Sequence, residues 1–121
     1  FNMGYNLDRK QANFEGKQSL PFFNFNTYKF PTKTLPVGSF EPNAWGLYDM
    51  HGNVWEWYSD WYGDYLTLPQ TDPNGPSIGA FRVFRGGSFT SNERRCRSAY
   101  RNNYTPSTID FNLGFRIVFS N

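Results

Sequence analysis

Glycine and proline interrupt the chain so often that little of it can form a regular helix. The 121 residues include 11 glycines and 8 prolines, and both residue types are unfavourable inside helices. The best helical candidate, Ser91–Arg101, lacks the apolar stripe with which a helix packs on a core. The sequence therefore predicts an irregular α+β fold with short antiparallel strands and little regular secondary structure.

Three segments have the pattern of short strands. Gly52–Trp61 alternates between apolar and polar residues, which is typical of a strand with one buried face, and Phe81–Phe89 predicts a strand that ends on a Gly-Gly pair. The apolar block N-L-G-F-R-I-V-F at 112–119 predicts a last strand in the interior of a sheet. Residues 1–34 are polar and aromatic, and their prolines exclude a helix interior, so we expect loops there with one or two short strands.

Two features between these segments predict tight turns. The stretch D-P-N-G-P, Asp72–Pro76, combines proline with an Asn-Gly pair that tolerates positive φ. Gly46 predicts a second turn or a cap, followed at Leu47–Met50 by one helical turn at most. Because the chain holds no internal repeat and has the length of one core, residues 1–121 are interpreted as a single domain.

Charge and hydropathy exclude two classes of partner. The formal net charge is +2, and the basic residues are spread along the chain rather than gathered in the dense patch of a nucleic-acid-binding protein. No apolar run approaches the roughly 20 residues of a membrane span. Arginines are concentrated in the C-terminal third, where we expect them to pair with carboxylates and backbone carbonyls. The cellular compartment stays open.

Cys96 is the only cysteine, which excludes an internal disulfide and a zinc cage built of thiolates. Those are the usual supports of a small, irregular fold. Some other interaction must therefore hold the loops of this chain in place.

Three blocks of sequence carry a resemblance to a known family. They are P-N-A-W-G-L-Y-D-M-H-G-N-V-W-E-W at 42–57, R-V-F-R-G-G-S-F at 82–89, and C-R-S-A-Y-R at 96–101 followed by L-G-F-R at 113–116. In this order and spacing they resemble the C-terminal half of the formylglycine-generating enzyme, or sulfatase-modifying factor, family. The resemblance implies a C-type-lectin-like fold braced by calcium, with the N-terminal part of the domain missing or shortened.

The resemblance implies several kinds of function. Sulfatase-modifying enzymes oxidise a substrate cysteine with copper held by two cysteines that follow G-G-S, and related enzymes join histidine derivatives to sulfur with iron. Other members are accessory lipoproteins, and others are variable proteins of diversity-generating retroelements, which display a randomised binding surface. His51 is the only histidine, so the iron branch, which needs a histidine cluster, gains no support and His51 is interpreted as a structural or surface residue.

The copper positions of the oxidases are filled differently in this chain. By the family's spacing they fall on Ser91 and Cys96. A hydroxyl cannot replace a thiolate as a soft ligand, so copper is not expected, no catalytic residue is assigned, and Cys96 is interpreted as a small buried hydrophobic residue. An oxidase function would require Cys96 to act with a thiol from another segment or chain.

The resemblance also implies a structural calcium site. Its ligands would be the side chains of Asp49 and Glu56 and the carbonyl groups of Gly52 and Val54, and hard oxygens at irregular spacing suit calcium. The alternative is that Asp49 caps a turn while Glu56 pairs with an arginine. A further calcium site of the family would start at Asn13 and Phe14, but Lys29 or Phe30 stands near the place of its aspartate, and we expect that site to be empty.

The segment before the last block resembles the variable region of the retroelement proteins, in which runs of asparagine surround fixed residues. Every residue type at the matching positions can be encoded by changing the first two bases of an asparagine codon ending in C. Ordinary surface loops share this composition. The matching positions, which are the predicted ligand-binding residues, are Thr90, Ser91, Asn92, Arg95, Tyr100, Asn102, Asn103, Tyr104, Thr105, Ser107, Thr108, Ile109, Asp110, Phe111 and Asn112.

Taken together, these features favour recognition over catalysis. We expect a calcium-braced domain whose surface at residues 90–112 binds a protein or another surface ligand, because tyrosine and asparagine on a rigid scaffold give contact area at low entropic cost. The alternatives are a sulfatase-modifying oxidoreductase and a non-catalytic accessory module of an envelope assembly.

Overall fold

The structure is a computed structural model that describes residues 1, 4–15 and 33–119. Part of the segment predicted to hold one or two strands, residues 16–32, lies outside these ranges, as do Lys29 and Phe30. In the described part of residues 1–34, Asn13 pairs with Gly52 in an isolated parallel bridge.

Regular structure is sparse, as predicted. The strands are β1 (Trp55–Trp61), β2 (Arg82–Arg85), β3 (Asn102–Tyr104) and β4 (Leu113–Phe115). The predicted strands at 52–61, 81–89 and 112–119 each contain one of these elements, but each prediction was too long. The segment Ser91–Arg101, the best helical candidate but one without an apolar stripe, contains one 3-10 turn at Glu93–Cys96. Its start is capped by the Asn92 side chain, which accepts a hydrogen bond from the backbone of Arg95.

The four strands form one sheet in the order β3-β2-β1-β4. β2 runs antiparallel to both β1 and β3, whereas β4 runs parallel to β1. The prediction of antiparallel strands alone is therefore wrong, because alternation in a sequence does not reveal the direction of a partner strand. The prediction that the last strand is interior is also wrong within the described residues: β4 lies at an edge, with Phe115 74% exposed.

The connection between β3 and β4 follows from this order. β3 and β4 point the same way at opposite edges of the sheet, so residues 105–112 must return across two intervening strands and back along their length. With strands about 4.8 Å apart, the lateral distance alone is about 14 Å. Residues 102–112 are thus partly strand, at Asn102–Tyr104, and partly this crossing.

The core has two parts. One lies on the sheet, where Phe84 is 1% exposed and its ring meets those of Trp55, Trp57 and Tyr104 at 5.1, 5.7 and 5.0 Å. The other is a smaller cluster of Leu7, Ala12, Phe14 and Cys96, with Phe1 packed against it. Aromatic side chains therefore supply much of the sheet core, in keeping with a chain that is 21% aromatic.

Buried asparagine amides join the irregular segments. Asn53 is 8% exposed; its side chain exchanges hydrogen bonds with the backbone of Leu35 at 2.9 and 3.2 Å, and its backbone N–H donates to Asn13 at 2.7 Å. Next to it, Gly52 has φ +76°, and a Cβ there would stand 2.3 Å from the carbonyl oxygen of Asn13. Hydrogen bonds of buried asparagine side chains therefore hold these loops together.

The predicted turns are only partly as expected. Gly46 has φ +74° and donates to the carbonyl of Asn43 at 2.9 Å, closing a turn at residues 44–46. Leu47–Met50 is not helical. In the predicted turn at 72–76, Asp72 and Gly75 both have positive φ.

Candidate functional site

Residues 102–112 are anchored at both ends and folded on themselves between. Asn102–Tyr104 pairs with β2, and Leu113 begins the pairing with β1. Between these strands the N–H of Thr108 donates to Thr105 at 3.0 Å, and the N–H of Leu113 donates to Asp110 at 3.3 Å. The hydroxyl groups of Thr105 and Thr108 lie 3.0 Å apart. The crossing is therefore two successive turns with local hydrogen bonds rather than an open loop.

Most predicted ligand-binding residues lie at the surface, at least in part. The exposed ones are Thr90, Asn92, Arg95, Tyr104, Thr105, Ser107, Ile109 and Phe111, and the half-buried ones are Tyr100, Asn102, Asn103, Thr108, Asp110 and Asn112. Ser91 is the exception, because it is 2% exposed. As folded, Ser91 supports the surface from beneath and does not form part of it.

Apolar side chains dominate the middle of this surface. Ile109 is 96% exposed and Phe111 75% exposed, although the Phe111 ring contacts buried Phe89 in an edge-to-face arrangement with the ring centroids 6.0 Å apart. Two tyrosines are held more firmly: Tyr104 is tilted over Phe84 at 5.0 Å, and Tyr100 over Trp55 at 5.9 Å. The surface therefore combines aromatic rings that pack on the sheet with apolar side chains that are largely exposed to solvent.

Hydroxyl groups occupy the place of the oxidases' first thiol. The hydroxyl of Ser88, which is fully buried, lies 3.0 Å from that of Thr90 and 3.2 Å from that of Ser91. Ser91 Oγ also accepts from the backbone N–H of Ser88 at 3.0 Å, and Asn112 Nδ2 donates to Thr90 at 3.0 Å. This network ties the start of the predicted surface to its end. The sequence alone did not identify Ser88 or Phe89 as residues that support the predicted surface.

Cys96 is buried and lies among apolar side chains, next to Gly87. Burial raises the pKa of its thiol from 9.0 to about 12. A soft copper site needs thiolates, so a fully buried thiol of this pKa with a hydrogen-bonded hydroxyl at the other position does not fit a copper ion. The position agrees with the interpretation of Cys96 as a small buried hydrophobic residue.

We expect iodoacetamide to label folded Cys96 about a thousandfold more slowly than an ordinary cysteine at pH 8, because a rise in pKa from 9.0 to about 12 lowers the thiolate fraction by that factor. The folded chain holds this proton more tightly than the unfolded chain. The contribution of the protonated Cys96 thiol to the free energy of unfolding is therefore complete below pH 9 and is lost as the pH rises toward 12. Labelling rates with and without urea test this, and equal rates would contradict it.

The two carboxylates among the predicted calcium ligands have other partners. Glu56 forms an ion pair with Arg116, in which Arg116 NH2 and Nε donate to the two carboxylate oxygens at 2.7 and 3.0 Å. This hydrogen bonding raises the pKa of Arg116. Asp49 Oδ2 accepts from the N–H of Gly38 at 2.7 Å. Arg116 also donates to the carbonyl groups of Tyr48 and Asp49.

The geometry at Glu56 follows the alternative considered from the sequence. As arranged, the Glu56 carboxylate pairs with a guanidinium group, and a calcium ion bound at Glu56 would have to share that carboxylate with Arg116. Within the described residues, no three His, Cys, Asp or Glu side chains gather in a metal-binding arrangement. The calcium assignment stays a prediction. The sequence had not connected Arg116 with Glu56, since the two are 60 positions apart.

His51 and the remaining candidate residues are structural in this arrangement. His51 is 5% exposed, its Nδ1 donates to the carbonyl of Cys96 at 2.7 Å, and burial lowers its pKa. Asn13 is also buried, and its side chain donates to Lys33 at 3.1 Å and to Asn53 at 3.3 Å. Phe14 belongs to the small core cluster.

With this geometry in view, the chain can be compared with known proteins. A family model described as "Sulfatase-modifying factor enzyme 1-like domain" matches residues 1–121. The chain belongs to this family. The formylglycine-generating enzyme of Streptomyces coelicolor is 48% identical over 88 residues, which are 69% of this chain and 28% of that protein. This match confirms the resemblance carried by the three sequence blocks.

Two other known proteins match more of the chain. The serine/threonine-protein kinase pkn1 of Chlamydia caviae is 38% identical over 117 residues, 93% of this chain and 16% of that protein. The solved structure of Treponema denticola variable protein 1 has a TM-score of 0.71 and 34% identity, covering 88% of this chain and 34% of that one. The chain thus spans less than a third of the curated relatives described, and its similarity to a variable protein agrees with the second resemblance seen in the sequence. No helix among the described residues is long and apolar enough to cross a membrane.

Proposed function

We propose that this chain is a ligand-binding domain of C-type-lectin-like fold, whose binding surface is formed by the exposed residues of 90–112. One observation carries the proposal: Ile109 and Phe111 are 96% and 75% exposed on a segment whose two ends are strands of the sheet. Exposed apolar side chains on an anchored segment are typical of binding surfaces.

The anchoring supports binding through its effect on entropy. A flexible loop must be ordered when it binds, and that cost is subtracted from affinity. Here the turns at Thr105 and Asp110 and the hydroxyl network beneath Thr90 already order the segment. Tyr104 and Phe111 then offer aromatic contact area with few rotatable bonds, as in antibody loops.

The similarity to Treponema denticola variable protein 1 supports a further part of the proposal, that these positions vary between copies of the gene. Many predicted positions are exposed and make no core contact, so their side chains can change without loss of the fold. Ser91 departs from this pattern because its hydroxyl bonds to Ser88. We expect small, hydroxyl-bearing residues to be favoured at that position.

An oxidoreductase of sulfatase-modifying type is the second candidate, favoured by the 48% identity to a formylglycine-generating enzyme. The raised pKa of Cys96 and the hydroxyl at Ser91 stand against it. The two candidates separate in one assay, in which the purified chain is given Cu(I), oxygen and a peptide containing a sulfatase-type cysteine. Stoichiometric copper binding with oxidation of that cysteine would defeat the binding proposal.

The surface itself is tested by the double substitution Ile109→Ser and Phe111→Ser. A ligand captured from fractions of the source cells and then purified should bind the variant at least tenfold more weakly, since truncating one central apolar contact costs about 2 kcal/mol. The melting temperature should change little because both side chains are exposed.

The matched control is Val37→Ser with Ile78→Ser, which are 88% and 83% exposed outside the proposed surface. It should bind the ligand like the wild type. Equal affinity in all three proteins would show that residues 90–112 are not the binding surface.

A further inference from the structure

The turn at Asp72–Pro76 contains the only asparagine of the chain that is followed by glycine. Asn74 and Gly75 stand between two prolines, and every residue of the turn is exposed. An asparagine side chain can react with the backbone nitrogen of the next residue, and that nitrogen is most accessible when the next residue has no Cβ. None of the predicted ligand-binding residues belongs to this turn, so the proposed binding surface does not account for it.

The two reacting groups of such a reaction are both unengaged here. In the part of the chain that the structure describes, neither the Asn74 side chain nor the Gly75 N–H takes part in a hydrogen bond. A backbone N–H is usually paired within secondary structure, but Gly75 has φ +71° and lies outside every strand. No hydrogen bond therefore has to break before the nitrogen approaches the side chain, and the N–H is open to deprotonation by solvent.

Other asparagines at the surface are held more firmly. Asn92 is exposed, but its Oδ1 accepts from the backbone N–H of Arg95 at 3.2 Å. Asn112 donates from its amide to a threonine hydroxyl at 3.0 Å. The residues that follow them are Glu93 and Leu113, both of which carry a Cβ beside the backbone nitrogen. The chain thus contains its own comparison for the reactivity of Asn74.

We propose that Asn74 is a site of spontaneous deamidation. The Gly75 nitrogen, after losing its proton, attacks the carbonyl carbon of the Asn74 side chain and closes a cyclic imide. The bond from that carbon to the side-chain nitrogen breaks, and the nitrogen leaves with the proton as ammonia. Water then opens the imide at one of its two carbonyl groups, which gives either aspartate or isoaspartate at position 74. Water is the only co-reactant, and nothing is oxidised or reduced.

The reaction changes the charge of a cavity beside β1. The cavity has a volume of about 440 Å³, and Asn74 and Gly75 are among the residues that line it. The charged residues of the lining are Asp60, Asp64, Arg85 and Arg101, so their formal charges cancel before the reaction. A carboxylate at position 74 makes the lining acidic. Because ammonia is lost to solvent, the change accumulates as the protein ages.

The two products affect the backbone differently. The turn packs closely on the end of β1: a Cβ on Gly75 would stand 3.0 Å from the carbonyl oxygen of Trp61, and a Cβ on Gly63 would stand 2.6 Å from Cγ of Pro76. Aspartate leaves the main chain unchanged and fits these contacts. Isoaspartate adds a carbon to the main chain between them, so it must shift the turn relative to β1.

The test incubates the full folded chain in mildly alkaline buffer and follows each asparagine by peptide mapping with mass spectrometry. Conversion of the amide to an acid raises the mass of the peptide that contains Asn74 by about 1 Da. A synthetic peptide of residues 71–77 is the reference without a fold. We expect similar rates in the chain and the peptide, because no hydrogen bond of the fold protects the amide. If the peptide reacts while the folded chain keeps its amide, the proposal is wrong.

Asn74→Gln is the matched control, because its longer side chain cannot close the same ring. This variant should show no mass change in the segment over the time in which the wild type reacts, and its melting temperature should match that of the wild type because the position is exposed. Asn92 and Asn112 should keep their amides over the same time. Equal rates at Asn74 and Asn92, or an equal mass change in Asn74→Gln, would overturn the assignment.

Discussion

Replacing Phe84 with alanine should lower the free energy of unfolding by about 3–5 kcal/mol, the range for a large aromatic removed from a core. Phe84 is 1% exposed and lies on the central strand β2, where its ring meets those of Trp55, Trp57 and Tyr104. Three aromatic rings cannot collapse easily into the space that it leaves. Urea unfolding followed by tryptophan fluorescence measures the change.

The same chain offers a matched control for this substitution. Phe115 lies in β4 but is 74% exposed, so Phe115→Ala should change the free energy of unfolding by less than about 1 kcal/mol. If Phe84→Ala does not fold, Phe84→Leu keeps most of the volume and should cost about 1–2 kcal/mol. Equal effects at positions 84 and 115 would show that the aromatic cluster is not the core of the sheet.

Replacing Glu56 with alanine should destabilise the chain by about 1–3 kcal/mol, between the values for surface and buried ion pairs. The Glu56 side chain is 18% exposed and that of Arg116 is 31% exposed, so solvent screens the pair in part. The loss has a clear physical cause, since Arg116 keeps its charge in a partly buried place but has no carboxylate. Thermal melts in calcium-free buffer at low and high salt measure it.

Calcium binding at Glu56 and pairing of Glu56 with Arg116 predict different melting temperatures for the wild type and Glu56→Ala. If calcium binds at Glu56, chelation lowers the melting temperature of the wild type and has no effect on Glu56→Ala. If Arg116 is the partner, chelation changes neither protein, and Glu56→Ala melts lower with or without calcium. Arg116→Gln separates them further: it should reproduce the loss in Glu56→Ala when the arginine is the partner, and keep the response to calcium when it is not.

The strand at Trp55 could be predicted because alternation between apolar and polar residues is local information, and the strand at Val83 because an apolar segment ends there on a Gly-Gly pair. Their ends could not be predicted: the strand at Gly52–Trp61 begins late, because Gly52 and Asn53 have φ +76° and +67° and bond to other segments instead. The parallel direction of β4 was also hidden, since it depends on how the chain returns between strands rather than on residue type.

The residues of the candidate surface could be named from the sequence, but most of the residues that support it could not. Composition and flanking blocks pointed to residues 90–112, and Ser91 was placed on the surface because it falls at a position that matches the variable region. Only the fold brings its hydroxyl next to Ser88 and so buries it. Glu56 was singled out as a calcium ligand, with an arginine as the alternative partner, but which arginine lies beside it depends on the pairing of β1 with β4.

The crossing between β3 and β4 limits which mutations this segment can accept. Its ends are fixed at opposite edges of the sheet, and its two turns each depend on a contact three residues along the chain, from Thr105 to Thr108 and from Asp110 to Leu113. Replacing a side chain disturbs neither constraint, but adding or removing one residue shifts both. The crossing can therefore accept many different side chains, but only at a fixed number of residues.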